Sequence, residues 1–592
     1  HSDTGKTSLV SAMLFDSGAV NRLLKVDDGN TITDFDEDEQ DRKITISTAV
    51  AHVEHNGCKI NLIDTPGYGI YTTDALQGLR VADTTLLLVS AVAGVEVQTD
   101  KMWKAAASFD LPVIFGVNSM DRDRASFSRT IENLQKKYGR EGTPLQIPIG
   151  AESTFSGVVN LVNGKAFTWP HDESGKMTEA DVPSEVADEV AAAREALMEM
   201  VAEQDETLMD SYLEEGELNE ATLIEGLKKA ITARALFPVF TLSATKNIGV
   251  QPLMEALVNL TPAPDWRPLQ GMVDGEEKGL EISGDEKFSA YVFKTISDPF
   301  SGRISLIRVF SGGVASDTTV TNSTSGSSER LGALSIVQGK TLEHIPELAA
   351  GDIGAVPKLK DSNTCDSLCE AKMNIKVPAV PIPEAAISFA LEAKSKADED
   401  KLATALRRIQ DEDPTVKIGR DPQTKEMLIS GTGQLHVEVV VGKLKKRYNV
   451  DVVLHQPKVP YRETITKSID VTTRHKKQTG GSGQFAQCSI TMEPNLGHGY
   501  EFVDKIFGGS ISQTYRPAVD KGIQEAAERG VLAGFPMVDF KVTLTDGKEH
   551  AVDSSEMAFK QAGRKAFRDA AGKCKPTLLE PVMMVEVYTP ED

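Results

Sequence analysis

The chain has 592 residues, too many for one hydrophobic core, and a prior of about 150 residues per domain divides it into roughly four. Its 40% hydrophobic and 26% charged residues are those of an ordinary globular protein, with no apolar run approaching the ~20 residues of a bilayer-spanning helix. The net charge of −23 argues against a simple nucleic-acid coat protein, and the odd, scattered cysteines (Cys58, Cys365, Cys369, Cys488, Cys574) form no CxxC pair and fit a reducing cytoplasm.

The chain opens on His1-Ser2-Asp3-Thr4-Gly5-Lys6-Thr7-Ser8, which ends in the GK[ST] of a phosphate-binding loop. The first glycine of that motif would lie one residue before His1, so the start of the chain cuts it. Leu9 to Leu14 carries the helical spacing the motif requires. Helix N-terminal amides cradle phosphate oxygens, Lys6 adds a point charge, and Thr7 offers a hydroxyl to Mg2+. Lys59 to Asp64 is a buried-strand run that delivers Asp64-Thr65-Pro66-Gly67, where a carboxylate can hold Mg2+ through water and the Gly67 amide can sense a γ-phosphate. Thr84 to Val89 reads as another strand. Pro112 to Val117 runs into Asn118-Ser119-Met120-Asp121, and the Asp121 carboxylate can accept from N1–H and the 2-amino group of guanine. Pro238 to Leu242 delivers Ser243-Ala244-Thr245-Lys246, whose backbone can contact guanine O6. Each polar motif follows an apolar strand, where open α/β sheets bind ligands.

Residues 157–235 interrupt this pattern with short strands and a long acidic helical stretch, a solvated face by default and a docking surface otherwise. A proline-rich linker at Thr261 to Pro268 leads into alternating strands such as Phe288 to Lys294 and Arg303 to Val309, with a turn at Asp298 to Gly302, the signature of a β-barrel. From Pro381 to Tyr461 the pattern becomes α+β, with an amphipathic helix over 398–410 and a second helix after Gly431-Thr432-Gly433-Gln434-Leu435-His436. His436 there reads as structural, and the basic run Lys443 to Arg447 as a solvated face. Arg474-His475-Lys476-Lys477-Gln478-Thr479-Gly480-Gly481-Ser482-Gly483-Gln484-Phe485 is a basic, glycine-rich loop able to approach RNA phosphates.

The motif order resembles that of the translational GTPases, and the chain resembles elongation factor G over nearly its whole length. Asp41-Arg42-Lys43-Ile44-Thr45-Ile46 is similar to the family's RGITI effector segment. The resemblance makes Thr45 the switch threonine that reaches Mg2+, and it matches Asp3 and His1 to the family's phosphate loop. Asp298 to Arg303, Gln434 to His436, Pro460 to Thr464, Gly530 to Pro536 and His550 to Lys560 resemble later domains of the family. In that family the basic loop and His550's counterpart enter the decoding site beside messenger and transfer RNA. Lys43 stands where the family has glycine, Ser119 replaces the lysine of NKxD, Ser482 occupies an often basic spot, and Tyr68 replaces the histidine of DTPGH. DTPGY is similar to a divergent elongation factor G paralogue found in some bacteria.

The resemblance implies a multidomain α/β and β architecture. A P-loop GTPase domain (1–262) with its insert would precede a β-barrel (263–378), an α+β third domain (379–457) and an α+β tip domain (458–580). Residues 581–592 would be the first strand of a fifth domain that the chain lacks. GTP or GDP and Mg2+ are the implied ligands, with Asp3, Thr4, Gly5, Lys6, Thr7, Ser8, Thr45, Gly67, Asn118, Asp121, Ser243 and Ala244 on nucleotide and Thr7, Thr45 and Asp64 on the metal. Tyr68 would be the water-orienting residue. The tip contacts would be Lys476, Lys477, Gln478, Gly480, Gly481, Gly483, Gln484 and His550. The implied partner is the ribosome (ribosomal RNA, transfer RNA, messenger RNA and a stalk protein), without a membrane, for a cytoplasmic monomer. Two activities are open: a translocating GTPase, or a GTP-gated ribosome binder of weak turnover serving in stress, recycling or ribosome protection.

Overall fold

The apolar runs at 85–90, 113–118 and 237–241 form short strands that a computed structural model stacks in parallel, while the run ending at Asp64 pairs antiparallel with the strand before it, and the polar motifs sit at the ends of these strands. The structure describes residues 1–273, 276–280, 282–298, 302–371, 373–478, 483–585 and 587. Helix α1 (Lys6–Asp16) and the short α2 (Glu37–Arg42) precede an antiparallel pair, β1 (Ala49–His55) and β2 (Cys58–Asp64). Then come α3 (Thr72–Val81), β3 (Thr85–Ser90), α4 (Val97–Ser108), β4 (Val113–Asn118), α5 (Phe127–Tyr138) and β5 (Gly142–Pro144). After the insert, β3, β4 and β5 are joined by a later strand of residues 237–241 in the order β3, β4, this strand, β5, all parallel. Every residue of β4 is buried, as a continuous apolar run in a parallel sheet requires.

The insert holds β6 (Gln146–Ile149), β7 (Gly157–Asn160), β8 (Ala166–Thr168) and β9 (Thr178–Ala180) in one antiparallel sheet, then α6 (Ala187–Ala202), α7 (Glu206–Glu215) and α8 (Glu220–Thr232). Its sheet therefore starts ahead of residue 157. Only Leu145 separates β5, which pairs with the parallel sheet, from β6, which pairs with the insert, and nothing in the local pattern marks that exchange. Strand β10 (Phe237–Thr241) and α9 (Val250–Leu260) complete the domain.

Residues 289–369 contribute to an eight-stranded antiparallel sheet whose central pair is Ser289–Asp298 with Gly302–Ser311. The turn expected between those two strands lies mostly at residues 299–301, outside the described residues. Next, α10 (Lys396–Glu412) and α11 (Gln434–Tyr448) pack through Leu402, Leu406, Ile409, Val437, Val440 and Leu444 on a four-stranded sheet.

The chain packs as two compact units, residues 1–419 with 427–455, and residues 420–426 with 456–592. In the second, a four-stranded sheet carries α12 (Arg516–Ala527) and α13 (Glu556–Ala571) over a core of Phe540, Phe559, Phe567, Val519 and Ile523. The two helices meet at glycines: a Cβ on Gly522 would lie 2.2 Å from the Lys560 carbonyl oxygen, and one on Gly563 2.4 Å from that of Val519. Of the stretch expected as the first strand of a further domain, residues 581–585 and 587 are described; they carry no strand pairing, and Val582 and Met584 stand 97% and 90% exposed. No helix of the described residues is long and apolar enough to cross a membrane.

Candidate functional site

The loop before α1 is bent by two left-handed residues, Asp3 (φ 58°) and Gly5 (φ 85°). A Cβ on Gly5 would lie 2.3 Å from Asn118 Nδ2, so the position also requires a bare backbone. Gly5 caps α1 without any side-chain bond, which leaves the first-turn amides of Lys6, Thr7 and the half-buried Ser8 open to an anion. Lys6 Nζ donates to the His1 carbonyl at 2.6 Å, and Thr4 Oγ1 to the same oxygen at 3.1 Å. Burial pulls the Lys6 ammonium below its ordinary pKa, against the attraction of Asp64, Asp3 and Asp34. Gly67 closes the other side: a Cβ there would stand 2.5 Å from both the His1 oxygen and Lys6 Nζ.

Beside this anion site lies a cluster of oxygens. Thr7 Oγ1 and Thr45 Oγ1 are 2.9 Å apart, and Thr33 Oγ1 donates to Asp64 Oδ2 at 2.7 Å. Both carboxylate oxygens of Asp34 and Oδ1 of Asp64 are buried without a well-formed hydrogen bond among the described residues. The Thr45 and Thr7 hydroxyls face them at longer range, where they still favour the charged forms. Burial and mutual repulsion push Asp34 up to about 6, and burial raises Asp64. Two hydroxyls and two carboxylates with orphaned oxygens are the hard donor set a small divalent cation takes. The residues present therefore fit Mg2+.

Thr45 is placed by α2. Asp36 caps that helix and Glu39 completes a capping box. Glu39 Oε1 also accepts the Ile46 and Ser47 amides, at 2.9 and 3.0 Å, and burial beside Asp34 pushes its carboxyl up to about 8. Lys43 takes the left-handed conformation (φ 56°) that ends α2, so the bend survives the loss of glycine. Ile46 then packs with Tyr71 and Val439 of α11, and Tyr68 leans on the same cluster beside Ile44, Ile70 and Leu435.

At the end of β4, Asn118 Nδ2 donates to the Thr4 carbonyl at 2.8 Å and its Oδ1 accepts the Ala244 amide at 2.9 Å, tying the first loop to the last. Ser243 Oγ donates to Asp121 Oδ1 at 2.6 Å. Asp3, Thr4, Gly5, Lys6, Thr7, Ser8, Thr45, Asp64, Gly67, Asn118, Asp121, Ser243 and Ala244 thus lie in loops of the first domain or at the helix and strand ends that adjoin them, and these contacts link most of them. Sequence reasoning missed Thr33, Asp34 and Glu39. The capping box Asp36 to Glu39 was the available signal for the last.

In the second unit, Lys476 and Lys477 pair with Phe485 and Gln484 across the hairpin Ile469–Lys477 and Gln484–Pro494. His475 Nε2 lies 3.0 Å from Gln484 Oε1, the Arg474 guanidinium stands 5.0 Å from the Phe485 ring centroid, and the His550 ring lies 6.1 Å from it. Gly483 lies against Asp553, 3.2 Å from a built Cβ, and Phe485 N–H donates to the Asp553 carbonyl at 2.8 Å. Lysines, an aromatic face and a histidine thus share one hairpin end, joined by Gln478. Gly480 and Gly481 lie outside the described residues. Arg474 and Phe485 were read as the ends of the basic loop but not among its expected RNA contacts, although a cation over an aromatic ring is a stacking platform for a base.

Four family descriptions match the chain. They are "Elongation factor Tu GTP binding domain" over residues 1–263, "Elongation factor G domain 2" over 287–371, "Elongation Factor G, domain III" over 382–456 and "Elongation factor G, domain IV" over 457–575. The crystal structure of ttk003000868 from Thermus thermophilus is similar at 33% identity and a TM-score of 0.84, over 98% of this chain and 84% of that one.

Proposed function

The chain belongs to the elongation factor G family of translational GTPases, and on that premise we propose that it hydrolyses GTP on the ribosome to drive the movement of transfer and messenger RNA. The observation that carries the reading is the joining of an uncapped helix N-terminus, an oxygen cluster and an Asn118-tied base loop in one domain. The α1 amides and Lys6 bind the phosphates. Asp121 selects guanine, and the Ser243 and Ala244 backbone meets its O6. Thr7, Thr45 and Asp64 would hold Mg2+, which would supply neutralisation of the charge developing on the phosphate oxygens. Gly67 N–H meets the γ-phosphate. A water oxygen attacks the γ-phosphorus, the bond to the β,γ-bridging oxygen breaks, and GDP and phosphate leave.

Tyr68, which follows Gly67 where the family motif carries histidine, is the residue this reading assigns to orienting that water. A phenol of pKa ~10 is a poor base at neutral pH, yet the transition state asks for positioning more than deprotonation. Its hydroxyl makes no hydrogen bond to a described residue, while its ring leans on the Ile46, Tyr71 and Val439 cluster. That packing favours a second reading, in which the ring is held back and the protein is a GTP-gated ribosome binder of weak turnover. In either case the hairpin end of Lys476, Lys477, Phe485 and His550 meets RNA, and the protein works in the cytoplasm as a monomer.

The test is phosphate release with and without vacant ribosomes, for the wild type and Tyr68→His. Ribosome stimulation of the wild type supports the translocating enzyme. Weak wild-type turnover raised by histidine, on the order of 100-fold or more, supports the gated binder. Turnover indifferent to ribosomes in both proteins sinks the two readings together.

A further inference from the structure

The basic run at the end of α11 does not face solvent alone. Positions 443, 446 and 447 share one face of the helix at three- and four-residue spacing, and that face lies on α2. Arg447 Nη2 binds Asp36, the cap of α2, while its Nη1 reaches Glu412 Oε2 at 3.0 Å. Lys446 Nζ bridges Asp38 Oδ1 at 3.0 Å and Asp41 Oδ2 at 2.6 Å. Lys443 Nζ pairs with Glu412 Oε1 at 2.7 Å, the two side chains only 10% and 9% exposed. A Cβ on Gly442 would lie 3.2 Å from Asp38 Oδ1, so α2 comes close to the helix backbone. Through Glu39, α2 in turn holds the Ile46 and Ser47 amides on the far side of Thr45.

We infer that Lys446 and Arg447 are positioning residues that hold Thr45 in its metal-binding place, so that α11 sets the preference for nucleoside triphosphate over diphosphate. The inference rests on the reading of Thr45 given above. A diphosphate offers no γ-phosphate for Thr45 and the metal to enclose, so its affinity does not depend on how α2 is held. Each partly exposed pair contributes little alone, but three contacts from two side chains, to Asp36, Asp38 and Asp41, act on one short helix, while Glu412 of α10 anchors Arg447 from behind.

The test measures Kd for GDP and for a non-hydrolysable GTP analogue, both with Mg2+, in the wild type, Lys446→Ala with Arg447→Ala, and Thr45→Ala. The double variant is expected to weaken the triphosphate about tenfold, equivalent to about 1.4 kcal/mol, and to leave GDP unchanged. Raising salt from low to high should narrow the wild-type preference and not that of the double variant. Arg447→Lys, which keeps the charge, should restore part of the preference. Reversing the pair, with Lys446→Glu joined to Asp38→Lys and Asp41→Lys, should restore it where Lys446→Glu alone does not. An equal loss for both nucleotides, or no loss, overturns the inference if Thr45→Ala does shift the triphosphate. No effect of Thr45→Ala overturns the reading of Thr45 itself.

Discussion

Asp16, the last residue of α1, shows how a single buried carboxyl ties stability to pH. It sits at a helix C-terminus, where the backbone dipole disfavours negative charge. Asn247 Nδ2 donates to its Oδ1 at 2.7 Å, but Asp16 Oδ2 and Asn247 Oδ1 are both buried without a hydrogen-bond partner among the described residues. Burial raises its pKa to about 7 against that one hydrogen bond. Because the folded value lies above the unfolded one, the contribution is complete below pH ~4 and is lost as pH rises through about 7. Asp16→Asn removes the ionisation and supplies a donor where Asn247 Oδ1 lacks one. Its gain in unfolding free energy over the wild type should grow from pH 4 to 7 and then level off, on the order of 2–4 kcal/mol. Denaturant midpoints at pH 5 and pH 8 check this, and an equal gain at both would refute it. Asn118, Asp121 and Ser243 were legible in the sequence because each directly follows an apolar strand. Asp34 and Glu39 were not singled out, because their perturbation comes first from burial and then from a neighbouring carboxylate, Asp64 beside Asp34 and Asp34 beside Glu39, which a linear pattern does not display. Lys43 was legible as a departure, but not its resolution: the lysine simply accepts a left-handed backbone, at a cost of about 1 kcal/mol.

At the scale of elements, the same contrast separates periodicity from partnership. The helices over 396–412 and 434–448 follow from apolar spacing, whereas the role of the basic run at 443–447 depended on what lay across from it. A charge run reads as solvated until a facing acidic helix is known, and α2 lies some 400 residues away in sequence (Arg447 and Asp36 are 411 apart). The loop at 530–536 is a second case. Its amides at Val531, Leu532, Ala533, Gly534 and Phe535 all point at the Glu463 carboxylate, at 2.7, 3.0, 2.8, 3.0 and 3.2 Å. Glu463 is fully buried, and these amides outweigh burial to hold its pKa below the ordinary value. A folded value that is lowered gives stability above the unfolded pKa that is lost as pH falls. Glu463→Gln keeps the shape, removes the charge and aims an amide donor at other donors. It should cost about 3 kcal/mol, lowering the melting temperature of the second unit by roughly 10 °C. Hydrogen exchange should speed up at 531–535 first. An unchanged melting temperature would mean that the loop is held by its apolar contacts.

At the scale of the whole molecule, an overall charge of −23 coexists with a basic hairpin end because the two belong to separately packed units. The second unit has what an independent domain needs. Its sheet orders the strands Ile469–Lys477, Gln484–Pro494, Phe540–Lys548 and Tyr500–Asp504, and the two helices bury Val519, Ile523, Phe559 and Phe567 in the core it shares with them. The segment 420–426, which clusters with it, contributes polar contacts at its margin: Gln423 Nε2 to the Tyr461 carbonyl at 3.0 Å and Glu426 Oε2 to the Lys458 amide at 2.9 Å. None of the buried core residues comes from that segment. Residues 456–580 alone, roughly 125 residues, are therefore expected to fold. Calorimetry should give one transition with an enthalpy near ~90 kcal/mol and a van't Hoff ratio near one. Glu463→Gln should lower that transition in the fragment as much as in the full chain, since every amide it leaves unpaired lies within the fragment. A fragment that binds a hydrophobic dye and melts without cooperativity would show instead that the rest of the chain completes this core.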